Sequence, residues 1–470
     1  MSTTELHDVA RTEPALARDL AGWAAQAGWA TTSSLRRDRV LSSVIDAIAV
    51  SVVGADEEVT RIASAYVSSL GSQGRAELVG GGPSAAPALA AFVNGASAHA
   101  LDFDDVHPRV HGHPSCVLAP ALLALGQERG LSGAEVLDGY VAGLGVMTAL
   151  ATFLTEEHYA RGWHATSTLG TMATAVGAVR ALGGSVDQMT RALSIGASLA
   201  SGMRANFGTM TKPLHAGAAA RSGLDAAFLA LAGLTASSDV VESPVGVGSL
   251  FAGPASLADR EPGALREQLL AAAEGAPDEL SVKRYPCCGG SHLGIDAALE
   301  VRDQLDGDSP ITSVRVVIPR GARTALIHDD PQTGLEAKFS LPYTVATALV
   351  DGAPTLRHFT DEAVYDARVR AVLAVLQVDE PTTGPDTAGS MYERWAEVSV
   401  TTAAGQSCTA RVDHYRGIVA QESDAARLDA KFLDCVSGRL RGQEADRYLA
   451  ACRGLPEAES VVGLVRWPFR

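Results

Sequence analysis

Apolar residues recur at helical spacing through most of the first half of this chain. Leu35 to Val53 is an amphipathic run of the kind that lays one face on a core. Ser132-Gly-Ala-Glu135 pairs a hydroxyl with a carboxylate three residues on, which predicts a capped helix reaching about Leu154. Ser185-Val-Asp-Gln188 repeats that device before a helix leading toward Gly202, and Ala216–Ala236 reads as a third, alanine-rich helix. Residues 237–263 are rich in Ser, Gly and Pro and read as a long connection. Beyond them the period changes. Ser313–Pro319 alternates and is β-branched, so it predicts a strand. Glu397–Thr402 and Ser407–Val412, joined through Ala-Ala-Gly405-Gln, predict a hairpin. Helices are expected at about 290–305, 337–351 and 361–376, and again from about 424 to 452. The order of elements predicts a mainly α fold. Residues 1–265 form a large all-helical domain, 266–400 a smaller inserted α+β domain with its hairpin running to about 415, and 416–470 a tail returning to the helical body.

Composition sharpens this picture. Of 470 residues, 47% are apolar and only 5% aromatic, with Ala and Gly abundant, so tight helix–helix contacts are expected. The net charge of −16 argues against a nucleic-acid partner, whose binding rests on Lys and Arg. Six cysteines show no framework spacing, and the adjacent Cys287–Cys288 pair cannot bridge itself without strain, which suggests a reduced, cytoplasmic protein. The polar, acidic N-terminus is not a signal peptide, and no uncharged apolar stretch of about 18 residues predicts a membrane span.

The chemistry concentrates between His99 and Ser115, HALDFDDVHPRVHGHPS. Four of the chain's twelve histidines (His99, His107, His111, His113) and three carboxylates (Asp102, Asp104, Asp105) share this stretch. Such a set suits general acid–base chemistry, a divalent metal, or a solvated loop whose Asp side chains cap backbone N–H groups. Pro108, Gly112 and Pro114 oppose a helix, so His107 and His111 do not share a helix face, and a loop following a helix that ends near Ala98 is expected.

Four further segments place polar groups before apolar helices. His164 stands among Thr166, Ser167 and Thr168. Thr209, Lys212 and His215 lead into the alanine-rich helix, with Arg204 nearby on the same basic face. Lys283-Arg284-Tyr285-Pro-Cys287-Cys288 precedes another helix, and Tyr343 sits at the start of the helix after Lys338, a core residue whose hydroxyl is free to reach a ligand. Helix N-termini attract anions, so convergence of these segments predicts a pocket for a small polycarboxylate. No glycine-rich nucleotide motif follows a strand, so a nucleotide cofactor is not expected.

LDFDD…HPS at 101–115, GWHATSTLGTMATAVGA at 162–178, GTMTKPLHAGAAARSGLDAAFLA at 208–230 and KRYPCCGGSH at 283–292 together resemble the MmgE/PrpD family, in order and over about residues 20–460. The resemblance implies a helical domain with an α+β lid, a homodimer, and no metal or organic cofactor. By motif it assigns catalytic roles to Asp102, His113, His164, Lys212 and Tyr343. Substrate contacts then fall to His215 and Lys283 by motif, with Arg204, Thr209, His111 and Cys288 beside them. Val106 and Cys288 depart from the family's cis-aconitate decarboxylases, which carry Thr and, in the animal type, His there. Both changes disfavour decarboxylation. The loop is one residue longer between Asp102 and His113, which leaves His111 as a substitute.

The expectation is therefore a lyase that removes a proton α to a carboxylate, dehydrating a 2-methylcitrate-like hydroxy acid. One of His113, His164 or Lys212 acts as base, Asp102 orients His113, and the lysines hold the carboxylates. The alternatives are an epimerase of an iminodisuccinate-like dicarboxylate, a cis-aconitate-type decarboxylase, and a carboxylate-binding protein without chemistry.

Overall fold

A computed structural model describes residues 16–254, 260–306, 309–383, 394–415 and 425–463. Its first body is helical. Ser34–Gly54, Pro87–His99, Ser115–Arg129, Gly133–Leu154, Ala165–Ala181, Val186–Leu199 and Thr211–Leu231 pack around one core. Both predicted capping boxes are closed in both directions, at Ser132/Glu135 and Ser185/Gln188. Gly133–Leu154 is long and apolar enough to cross a membrane, yet it lies almost wholly buried as a central helix of this core. Small residues allow close helix approach. A side chain at Gly217 would run into the Phe92 carbonyl, so the Thr211–Leu231 and Pro87–His99 helices touch backbone to backbone.

A second core opens at Tyr285 and closes around a four-stranded sheet. Its strands are β1 Ile311–Val317, β2 Leu376–Asp379, β3 Ala396–Thr402 and β4 Ser407–Val412, in the order β2-β1-β3-β4. β1 runs parallel to β2 and antiparallel to β3, and β3–β4 is the predicted hairpin, with Val398 opposite Ala410. Composition changes character before residue 265, yet Leu269, Ala273, Ala276 and Leu280 still belong to the helical core. The tail forms two helices, Ala425–Val436 and Gln443–Arg453, and Phe432, Val436 and Leu449 pack into that same first core.

Three elements differ from the sequence reading. The alanine-rich helix begins at Thr211, because Pro213 falls in its first turn, where a proline needs no donor. The helix after Ser185 stops at Leu199, where Ala200 turns extended. The helix expected over 361–376 covers only Ala367–Leu373, and Leu376–Asp379 pairs as edge strand β2.

Candidate active site

The loop after the Pro87–His99 helix crosses the junction of the two cores and carries Asp102 into it. Asp102 adopts a left-handed backbone, φ +52°, as does His111 at +51°. Asp tolerates this region better than most residues, and holding it there costs about 1 kcal/mol or more. Gly112 lets the loop lie on the next element, since a Cβ there would meet Thr166 N and Oγ1 at 2.9 Å. Thr166 Oγ1 accepts from the His113 amide at 3.1 Å and fixes the loop's return.

Two ammonium groups converge on Asp102. Lys212, in the first turn of its helix, donates to Oδ1. Lys283 Nζ lies 3.2 Å from Oδ2 and donates to the Asp102 carbonyl at 2.8 Å. Burial pushes the Asp102 carboxyl up, but the two lysines together outweigh it and hold it well below the usual range. Burial likewise opposes the Lys283 charge, and Asp102 with Asp104 more than restores it, so its pKa is raised.

His113 stands beside this group. Its Nδ1 lies 2.7 Å from the Asp105 carbonyl and 3.3 Å from Asp104 Oδ2. Both are acceptors, so in the neutral ring the proton sits on Nδ1 and the Nε2 lone pair faces the Asp102–Lys212 pair, 3.8 Å from Asp102 Oδ1. The Asp105 carbonyl takes the Nδ1–H, with Asp104 Oδ2 beside it, whereas Asp102, to which the sequence reading gave the orienting, lies on the Nε2 side. Asp104 accepts from His99 Nδ1 at 2.9 Å, so this carboxylate aligns one imidazole and lies against the other. Burial raises the Asp104 carboxyl, and His99 and His113 together bring it well below its usual value.

His164 occupies the N-cap position of the Ala165–Ala181 helix, stacks on His99 with ring centres 5.7 Å apart, and shares a proton with His215, Nδ1 to Nδ1, at 3.1 Å. Burial and then Lys212 hold His164 well below the ordinary imidazole value, and the same causes bring His215 to about 4. Both rings are neutral at neutral pH. Phe207 and Phe339 flank Lys212 and dry its surroundings, their ring centres 5.4 and 5.1 Å from Nζ.

The remaining predicted residues lie at the rim or outside. Cys288 borders the same electrostatic neighbourhood, and burial, then Asp102, keeps its thiol protonated above the ordinary value. His111 packs on the Tyr159 ring at 5.2 Å. Arg204 stacks on Tyr159 at 3.9 Å and donates to the carbonyls of Tyr159 and Thr324, clasping the two domains. Thr209 is exposed, and its hydroxyl accepts from the Thr211 amide at the helix start. Tyr343 is buried in the second core and donates to the His358 carbonyl at 2.5 Å, a partner that takes its hydroxyl away from the Asp102 group. Sequence reasoning missed Lys338, which donates to the Leu101 and Pro286 carbonyls and pins the loop to the lid. Burial brings its pKa down to about 8.

His99, Asp102, Asp104 and His113 offer donor atoms within 4.8 Å of one another, a spacing a metal ion can use. The charges oppose that use. Asp102 already carries two ammonium groups, and the Nδ1 atoms of both histidines are turned to Asp104. A divalent ion would have to sit against Lys212 and Lys283, so the donor set does not fit one.

A helical body with an α+β lid, joined over a lysine–aspartate–histidine pocket, defines the class. The chain belongs to the MmgE/PrpD family: residues 18–259 match the MmgE/PrpD N-terminal domain and residues 285–455 the MmgE/PrpD C-terminal domain. It is 30% identical over 444 residues to the cis-aconitate decarboxylase of Homo sapiens, covering 90% of this chain and 89% of that one. The Mus musculus enzyme of the same name is 30% identical over 462 residues, 93% and 89% of the two chains. The Aspergillus terreus enzyme is 25% identical over 344 residues, 69% of each.

Proposed function

We propose that the protein is a cofactor-independent lyase for a small di- or tricarboxylic acid, acting by proton removal at the carbon α to a carboxylate. The observation that carries this is the convergence of Lys212 and Lys283 on Asp102 beside the Nε2 of an oriented His113. An incoming carboxylate replaces Asp102 as partner of the lysines. His113 Nε2 then takes the α-proton, and Lys283 receives the charge that gathers on the carboxylate oxygens. The β C–O bond breaks, the Lys212 ammonium gives its proton to the departing hydroxyl, and a C=C bond and one water result. Proton return from His113 to Lys212 resets the site.

Dehydration of a 2-methylcitrate-like hydroxy acid is the first reading. Val106 supports it, since it offers no proton and packs against Tyr415, and the protonated Cys288 thiol stands where animal-type decarboxylases carry an imidazole. A second reading, decarboxylation of a cis-aconitate-like acid, is favoured by the 30% identity to two such enzymes across nine-tenths of the chain. There the C–C bond to a carboxylate breaks, CO2 leaves, and Lys212 protonates the resulting carbanion.

Proton NMR of the purified protein with 2-methylcitrate, citrate, cis-aconitate and iminodisuccinate separates these. The expected result is loss of a hydroxy acid with appearance of its alkene. Conversion of cis-aconitate with CO2 release replaces the first reading by the second. Inversion of iminodisuccinate alone makes the protein an epimerase, and binding of all four without turnover makes it a carboxylate-binding protein.

A further inference from the structure

A cavity of about 450 Å3 lies between the two domains, with Phe103 and Lys283 in its wall but none of Asp102, His113, His164 or Lys212. Its size is in the range of small-molecule sites. Two kinds of surface meet in it. Phe103, Leu280, Val282, Leu299, Leu356 and Leu428 are apolar, whereas Arg39 and Arg427 bring positive charge beside one acidic wall residue, Asp434; the other two cations, Arg284 and Lys431, are paired to Asp296 and Asp46 behind the wall. In a chain of net charge −16, a basic concavity focuses a local field that draws anions.

The cavity is wired to the reaction site through the backbone. Lys431 Nζ donates to the Phe103 carbonyl at 2.6 Å and to the Lys283 carbonyl at 3.2 Å, and lies 3.7 Å from the centre of the Phe103 ring. Phe103 follows Asp102 directly, so whatever presses on Phe103 or Lys431 moves Asp102, the carboxylate a substrate displaces, and Lys283, one of the two lysines that receive the substrate.

We infer that this cavity is a regulatory site for an amphipathic organic anion, an apolar chain or ring ending in a carboxylate. The apolar body lies on the leucine wall, the arginines take the carboxylate, and occupancy braces the segment carrying Asp102.

Titration calorimetry with octanoate tests this, using octan-1-ol as the body without the charge and sulfate as the charge without the body. Octanoate is expected to bind at least about tenfold more tightly than either. Ala430, in the Ala425–Val436 helix, and Ala353, just after the Leu341–Asp351 helix, are exposed positions in the cavity wall. Ala430→Trp and Ala353→Trp fill the cavity without touching a core, and each is expected to weaken octanoate at least about tenfold. Lys212→Ala is expected to leave octanoate binding unchanged, because that lysine belongs to the other site. Hydrogen exchange over residues 100–106 is expected to slow with octanoate in the unmodified protein and not in Ala430→Trp. Equal affinity for octan-1-ol, or full affinity in both tryptophan variants, overturns the site. Loss of binding in Lys212→Ala assigns the anion to the reaction pocket instead. Unchanged exchange with octanoate bound overturns the regulatory role.

Discussion

Two buried lysine–aspartate clusters flank Phe103, and they are built to opposite ends. On one side Asp102 meets two ammonium groups, Lys212 and Lys283, and its carboxyl stays well below the ordinary range. On the other, Asp46 is ion-paired among the described residues with one lysine, Lys431, at 2.7 Å, and burial, only partly offset by that lysine, pushes its carboxyl up to about 6. The second pair spends its lysine on backbone, since Lys431 also holds the carbonyls of Phe103 and Lys283. The first has a cation in excess, and a cation in excess can be given to a substrate. The same two residue types thus make a binding site in one place and a rivet in the other, and the number of lysines per carboxylate decides which.

The largest break in this comparison is on the reaction side. His113→Gln is expected to lower kcat by about 10²- to 10⁴-fold, the usual worth of a positioned base, with the thermal midpoint little changed. Steady-state rates beside a melting curve check this. Lys212→Met comes next, with an expected loss of about 10²- to 10³-fold in kcat/KM, because it removes a cation that acts on developing charge. On the rivet side the effect moves to stability. Lys431→Met leaves Asp46 buried without its partner and is expected to cost about 3–5 kcal/mol in urea unfolding. If instead it costs activity alone, the two clusters are not different in kind.

A smaller effect comes from Asp105. Burial, only partly offset by Ser115, raises its carboxyl to about 7. A folded-state value above the unfolded one means that the folded protein holds the extra proton. Its stabilising share is therefore full below about pH 4 and is lost as pH rises through 7. Asp105→Asn keeps an acceptor for the Ser115 amide, which donates to Oδ1 at 3.1 Å, and is expected to flatten the fall in thermal midpoint between about pH 4 and 7. The smallest expected effect is that of chelation: dialysis against EDTA leaves the rate unchanged, since two lysines already balance Asp102.

Much of this was written in local sequence. Capping boxes at Ser132 and Ser185 and the alternation before Gly405 each act within a few residues, and the structure forms those elements. The motif carrying Asp102 reads as a loop after a helix, and those carrying His164, Lys212 and Lys283 as polar residues before an apolar helix; the fold brings Asp102, Lys212 and Lys283 into direct contact, with His164 stacked one ring away on His99. What remained hidden depends on distance through space. Asp104 was in the cluster, but nothing along the chain says which carboxylate lies 3.3 Å from His113. Asp46 is a lone carboxylate within the apolar run from Val44 to Val53, a visible signal for a buried partner, yet that partner lies 385 residues away at Lys431. Tyr343 shows the reverse, since a tyrosine at a helix start looks available until the His358 carbonyl claims it.

The central claim is proton removal from carbon by His113 in a lysine-lined pocket. Proton NMR in deuterated water, with the hydroxy acid or alkene acid that the protein turns over, tests it most directly. The account predicts deuterium entering at the carbon α to a carboxylate with the unmodified protein, and none above background with His113→Gln. Equal exchange in the two proteins, or turnover that never exchanges that hydrogen, would contradict it.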